Sequence, residues 1–190
     1  KHFMLNALAT VANANLNGIK MDKVLEAIRN FSGVKRRIEL VGISNNISVY
    51  DDYGHHPTEM LATISSLKDI TQGKLYVVFQ PHRYTRTELL FDRFIPPLEQ
   101  ADKSYILDIY SAGEMPIPGI STKVLLEQSN VSNIKYLSTL TKVLKELSSN
   151  LSSGDTVLTL GAGDITLFSS KVLEIIHDWA RCKFVRKNYI

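Results

Sequence analysis

The sequence predicts an α/β fold: a mostly parallel sheet with helices on both faces, preceded by a short helical segment. Three observations lead there. From Val34 onward, short β-prone runs alternate with amphipathic segments of about ten residues, the pattern of βαβ units. Two runs, Leu75–Phe79 and Val157–Leu160, are almost wholly apolar, as central strands covered on both faces must be. Polar residues crowd where strands end and helices begin, which is where sheets of this kind, the Rossmann-like ones included, bind ligands.

Residues 2–17 place Leu5, Leu8, Ala9, Ala12 and Leu16 at helical spacing, with Gly18 as the stop. A second helix follows, with Asp22 as its cap and Val24, Leu25, Ile28 and Phe31 on one face. Ser32-Gly33 breaks that pattern. The strands expected next are Ile38–Val41, Ile47–Tyr50, Leu75–Phe79, Tyr105–Tyr110, Ile134–Leu137 and Val157–Leu160. The first two, joined across 42–46, read as an antiparallel edge hairpin. Helices are expected at Thr58–Leu67, Thr87–Leu98, Thr122–Gln128, Leu140–Leu147 and Ile165–Trp179. This divides the chain into a helical segment (1–33), an α/β domain (34–180) and a basic tail (181–190).

Bulk properties narrow the function classes. A hydrophobic content of 44% with 22% charged residues is ordinary for a soluble globular chain. A net charge of +3 without a basic, aromatic-interleaved stripe gives no reason to expect nucleic acid. No apolar run approaches the ~20 residues of a membrane span. The lone cysteine, Cys182, excludes an intrachain disulfide framework and fits a reducing, cytoplasmic compartment. Lys1 leads almost directly into helical sequence, which suggests a piece of a longer polypeptide.

The chemistry concentrates in two stretches. Tyr50-Asp51-Asp52-Tyr53-Gly54-His55-His56-Pro57 sets two carboxylates and two imidazoles at a strand's end. Pro57 and Glu59 then open a helix, proline at its first position and an acid in its first turn. Gln80-Pro81-His82-Arg83-Tyr84-Thr85-Arg86-Thr87 repeats the arrangement after the Leu75–Phe79 strand. Arg83 and Arg86, three apart, would project the same way and clamp an anion. An arginine at a helix N-terminus opposes the dipole, so its presence points to use. His82 and His56 read more simply, as a loop hydrogen bond and a helix cap. Ser111–Ile117 forms a third loop on the same edge. Gly161-Ala162-Gly163-Asp164 lacks the third glycine of a dinucleotide fingerprint and reads as a tight strand-to-helix turn. No GxxxxGK[ST] phosphate loop occurs. The acid and histidine pairs have metal-ligand chemistry, but adjacent pairs rarely point at one ion, so no metal ligand is assigned and a metallo-phosphoesterase is the minor alternative.

These stretches, together with Lys1–Ala9, Phe31–Arg37 and Asp108–Ile117, resemble the Mur ligases over almost the whole chain. The likeness is to the C-terminal Rossmann-like domain, with 1–33 similar to the last helices of the central ATPase domain. It implies ATP-dependent amide formation in peptidoglycan synthesis, with UDP-N-acetylmuramate, L-alanine and ATP as partners. Mg²⁺ would be bound mainly by the central domain. His2 and Asn6 would contact adenine, Arg37 the nucleotide, Asp52 the ribose hydroxyls, and Tyr53 would lie beside the base. His55, Arg83 and Arg86 would receive the amino acid, the arginines on its carboxylate. Phe3 and Ile38 depart from the asparagine and phenylalanine usual in the family. The murein tripeptide ligase of peptidoglycan recycling shares the fold, but the two-arginine stretch fits an alanine-adding member better. Without a phosphate loop, this polypeptide alone is expected to fold but not to ligate.

Overall fold

The computed structural model describes residues 2–127, 129 and 131–187, with side chains for 4–127, 129 and 131–179. The chain divides into two compact units, Lys1–Val34 and Lys35–Ile190. In the first, α1 (His2–Leu16) packs on α2 (Met21–Arg29). Gly18, at φ 71°, ends α1 as expected. Its N–H reaches the Asn15 carbonyl at 3.0 Å and the Ile19 N–H that of Ala14 at 3.0 Å, the double bond of a Schellman cap. Asp22 is not the cap of α2: the cap position is Lys20, and Asp22 lies in the first turn, where it complements the dipole.

The second unit is one six-stranded sheet in the order β1-β2-β6-β3-β4-β5. The strands are β1 (Glu39–Ser44), β2 (Ile47–Asp52), β3 (Leu75–Phe79), β4 (Lys103–Ile106), β5 (Ile134–Tyr136) and β6 (Thr156–Leu160). All pairs are parallel except β1–β2, the expected edge hairpin. Its turn is shorter than 42–46. Asn45 and Asn46 alone make it, at φ 54° and 59°, the left-handed pair of a type I′ turn. Gly42 belongs to β1, and a Cβ there would lie 2.5 Å from Leu173 Cδ2, so the glycine lets the helix that carries Leu173 approach.

Helices α3 (Pro57–Ile70), α4 (Tyr84–Glu99), α5 (Thr122–Glu127), α6 (Leu140–Asn150) and α7 (Thr166–Lys187) complete the unit. Alternation along β3 builds a core on each face. Leu75, Val77 and Phe79 point at Met60, Ile64 and Leu67 of α3 and at Phe91, Phe94 and Leu98 of α4. Tyr76 and Val78 point the other way, into a cluster with Val143 and Leu147 of α6 and Phe168, Val172 and Ile176 of α7. Residues 181–187, read from sequence as a basic tail, continue α7 as helix; 188–190 lie outside the described residues.

One of the expected strands needs correction. The fourth strand stops at Ile106, not Tyr110, because the chain leaves the sheet before Tyr110 rejoins it in a single parallel bridge to His82. The strands bearing the two motif loops are not neighbours. β6 lies between them, pairing through Asp52↔Leu160 on one side and Phe79↔Leu160 on the other.

Candidate ligand-binding rim

Because Asp52, Leu160 and Phe79 are in register, β2, β6 and β3 end level, and their following loops share one edge. The Gly161–Asp164 turn therefore sits between the two motif loops. Its glycines are demanded by packing. A Cβ on Gly161 would meet the Gln80 carbonyl oxygen at 2.8 Å, and one on Gly163 would meet Gln80 Oε1 at 2.6 Å and Tyr110 Cγ at 2.8 Å. That supports the structural reading of this turn.

Asp51 and Asp52, adjacent at the end of β2, are both buried. Asp51 accepts from Arg36 Nε at 3.1 Å, Thr159 Oγ1 at 2.6 Å and Thr166 Oγ1 at 2.8 Å, tying β2 to β6 and α7. Arg36 also donates from Nη2 to the Gly161 carbonyl at 2.6 Å and lies 4.8 Å from the centre of the Tyr53 ring. Asp52 accepts from the Ile38 N–H at 2.8 Å and the Gly54 N–H at 2.7 Å. Burial raises its pKa despite those two bonds and the nearby Arg37 charge.

The α3 entrance is as read. His56 caps it, its Nδ1 accepting from the Thr58 N–H at 3.3 Å. Glu59 Oε2 accepts from the N–H groups of His55 at 3.2 Å and His56 at 3.4 Å. Burial works against the Glu59 carboxylate, but those N–H groups and the His55 and Arg37 charges hold its pKa below the usual value. His55 sits over this entrance with Nδ1 donating to the Tyr53 carbonyl at 3.1 Å. In the neutral ring that leaves Nε2 as the acceptor.

Across the rim, His82 is the hub. Its ring lies 5.8 Å from that of His55 and stacks on Tyr110 at 5.5 Å. The backbone holds it there: Arg83 N–H donates to the Tyr110 carbonyl at 2.8 Å and Tyr110 N–H to the Pro81 carbonyl at 2.9 Å. Burial depresses the His82 pKa, and the charges of Arg86, His55 and Arg83 depress it further. Arg83 caps α4 at φ 73°, a strained angle for a side chain of this size. Its Nη1 lies 4.0 Å from Glu114 Oε1. Arg86 Nη1 is shielded from solvent with no hydrogen-bond partner among the described residues, and so is His82 Nδ1.

The rim therefore gathers His55, Arg83 and Arg86 around His82, with Tyr53 on its near side. Arg37 is exposed and 3.8 Å from Glu59 at the α3 entrance. Asn6 lies on α1 in the first unit, and the His2 side chain lies outside the described residues. Sequence reasoning undervalued three residues. His82 carried a signal, since it stands inside the arginine motif. Glu114 lay in a loop whose only mark was its glycine and proline content. Between Arg36 and Arg37 nothing local tells which turns inward. Among the described residues no group of three or more His, Cys, Asp or Glu is placed to hold a metal ion. No described helix is long and apolar enough to cross a membrane.

A mostly parallel sheet whose level strand ends carry a cationic, imidazole-rich rim defines an α/β domain with a candidate anion site at its carboxyl edge. Residues 36–163 match the family described as Mur ligase, glutamate ligase domain. The chain belongs to that family. It is 44% identical over 177 residues to a UDP-N-acetylmuramate–L-alanine ligase of Solibacter usitatus, covering 92% of this chain and 38% of that protein. A ligase of the same name from Endomicrobium trichonymphae is 45% identical over 177 residues, covering 93% and 39%. Among solved structures, UDP-N-acetylmuramate–alanine ligase from Thermotoga maritima superposes with a TM-score of 0.75 at 28% identity, covering 93% of this chain and 38% of that one. The chain thus spans well under half the length of these relatives.

Proposed function

We propose that this chain is the C-terminal portion of an ATP-dependent ligase that joins L-alanine to UDP-N-acetylmuramate in the cytoplasm during peptidoglycan synthesis. The observation that carries this reading is the gathering of His55, Arg83 and Arg86 around His82 at one sheet edge, in a chain so similar to alanine-adding relatives. Arg86, whose shielded Nη1 lacks a hydrogen-bond partner among the described residues, is the guanidinium assigned to the amino acid's carboxylate. Arg83 borders the site at the α4 entrance, 4.0 Å from Glu114 Oε1. His55 presents Nε2 toward the amine. His82, kept neutral by its surroundings, adds no third charge that would repel that amine while it is protonated.

ATP supplies the phosphoryl group that turns the muramoyl carboxylate into an acyl phosphate, and the alanine amine displaces phosphate from it. This unit's part is to hold the amine at attack distance, and orientation of that kind lowers barriers by roughly 7–11 kcal/mol. For the nucleotide, Arg37 and Tyr53 offer exposed groups, and His2 and Asn6 are assigned to adenine by the family resemblance. Asp52, bound to the Ile38 and Gly54 amides, supports this site best by holding the loop that carries Tyr53. The described residues do not form a Mg²⁺ cage, because both oxygens of Asp51 and of Asp52 are engaged by protein donors. We therefore assign the metal to the rest of the ligase.

Phosphate release by the full-length ligase tests the reading, with UDP-N-acetylmuramate, ATP and either alanine or the murein tripeptide. Alanine-dependent turnover is expected, and none by the 190-residue chain alone. Preference for the tripeptide, or turnover by the isolated chain, would overturn it.

A further inference from the structure

The rim carries two guanidiniums, yet a substrate such as alanine brings a single carboxylate. Glu114 resolves the mismatch. Its carboxylate accepts from the Thr85 N–H at 3.1 Å and the Thr85 hydroxyl at 2.8 Å, and it lies 4.0 Å from Arg83 Nη1. It is anchored to the first turn of α4 and cannot swing clear without losing those bonds. Arg83 is thereby matched to an internal anion, while Arg86 Nη1 is left with no partner among the described residues. One cation is matched by an internal carboxylate and the other has none among the described residues.

We propose that Glu114 is a specificity-determining positioning residue, which cancels Arg83 and so makes the rim accept monocarboxylate amino acids while rejecting those with a second, side-chain carboxylate. An acidic side chain entering beside Arg83 would meet the Glu114 carboxylate. Like charges a few ångströms apart repel, which is expected to give about a tenfold discrimination. This inference rests on the proposed amino-acid site, but the two can fail separately.

The test uses the full-length ligase and compares aspartate with asparagine, which match in size and differ in charge, as competitive inhibitors of alanine-dependent phosphate release. In Glu114→Gln the aspartate Ki is expected to fall about tenfold relative to the asparagine Ki. Glu114→Asp, which keeps the charge, is expected to leave the ratio as in the wild type. A loosened loop would move both inhibitors alike. An unchanged ratio in Glu114→Gln, or an equal change in Glu114→Asp, overturns the inference. If Glu114→Gln loses alanine turnover altogether, Arg83→Gln decides. Leaving Glu114 uncompensated must then shift the ratio further against aspartate, and no shift overturns the proposal. Absence of alanine turnover in the wild type would instead sink the proposed function.

Discussion

Asp51→Ala removes the acceptor at the centre of the β2–β6–α7 junction, and its cost can be worked from the contacts. The lost bonds are a charge-assisted one from Arg36 at 3.1 Å and two hydroxyl bonds, from Thr159 at 2.6 Å and Thr166 at 2.8 Å. A charge-assisted bond contributes about 1.5–3 kcal/mol and a neutral one about 1 kcal/mol. Two reductions apply. Thr159 can turn its hydroxyl to the Tyr50 carbonyl, already 3.2 Å away. The Arg36 side chain is 24% exposed and still bonded to Gly161, so water satisfies part of what it loses. The balance is a destabilisation of about 3 kcal/mol. Trp179, the sole tryptophan, packs against the core on the α7 side of the sheet, so its fluorescence reports this unit alone. With a urea m-value of about 2 kcal/mol/M, the midpoint should fall by about 1.5 M. A fall under about 0.4 M would show that Asp51 is not the junction's organiser and that the Arg36 contacts to Gly161 and Tyr53 suffice.

Other outcomes follow from the same geometry. Gly163→Ala forces a methyl against Gln80 Oε1 and Tyr110, and overpacking of that kind should cost about 1–3 kcal/mol, read as a lower thermal midpoint. Arg86→Lys keeps the charge but loses the planar fork, so steady-state kinetics of the full-length ligase should show the KM for alanine rising about tenfold or more with the KM for ATP nearly unchanged. His82 has a folded pKa below its ordinary 6.5, so its neutral form favours folding. That contribution is complete above pH 6.5 and fades as pH falls through the depressed folded value. Urea midpoints at pH 7.5 and 5.5 should therefore differ less in His82→Gln than in the wild type, and an equal difference would refute the assignment.

The elements were legible because their signals are local. The helix stop at Gly18, the cap at His56, the apolar run of Leu75–Phe79 and the hairpin all depend on residues within a few positions of one another, where dihedral preference and hydrophobic period act directly. The two motif loops were legible for the same reason, since ionisable groups packed between a strand and a helix stand out along the chain.

Strand order was not legible. β6 enters between β2 and β3 from more than a hundred residues beyond β2, and that insertion is chosen by pairing and burial over the whole sheet, which no window of residues contains. Separation along the chain, shorter but still beyond any local pattern, hid the hub at His82, stacked on Tyr110 from the next loop, and the hold of Glu114 on Thr85. It also hid the division of labour between Arg36, turned in to Asp51, and Arg37, left in solvent. Each depends on which backbone segments the assembled sheet brings together, because hydrogen bonds and charge pairs act through space over a few ångströms, whatever the separation in sequence.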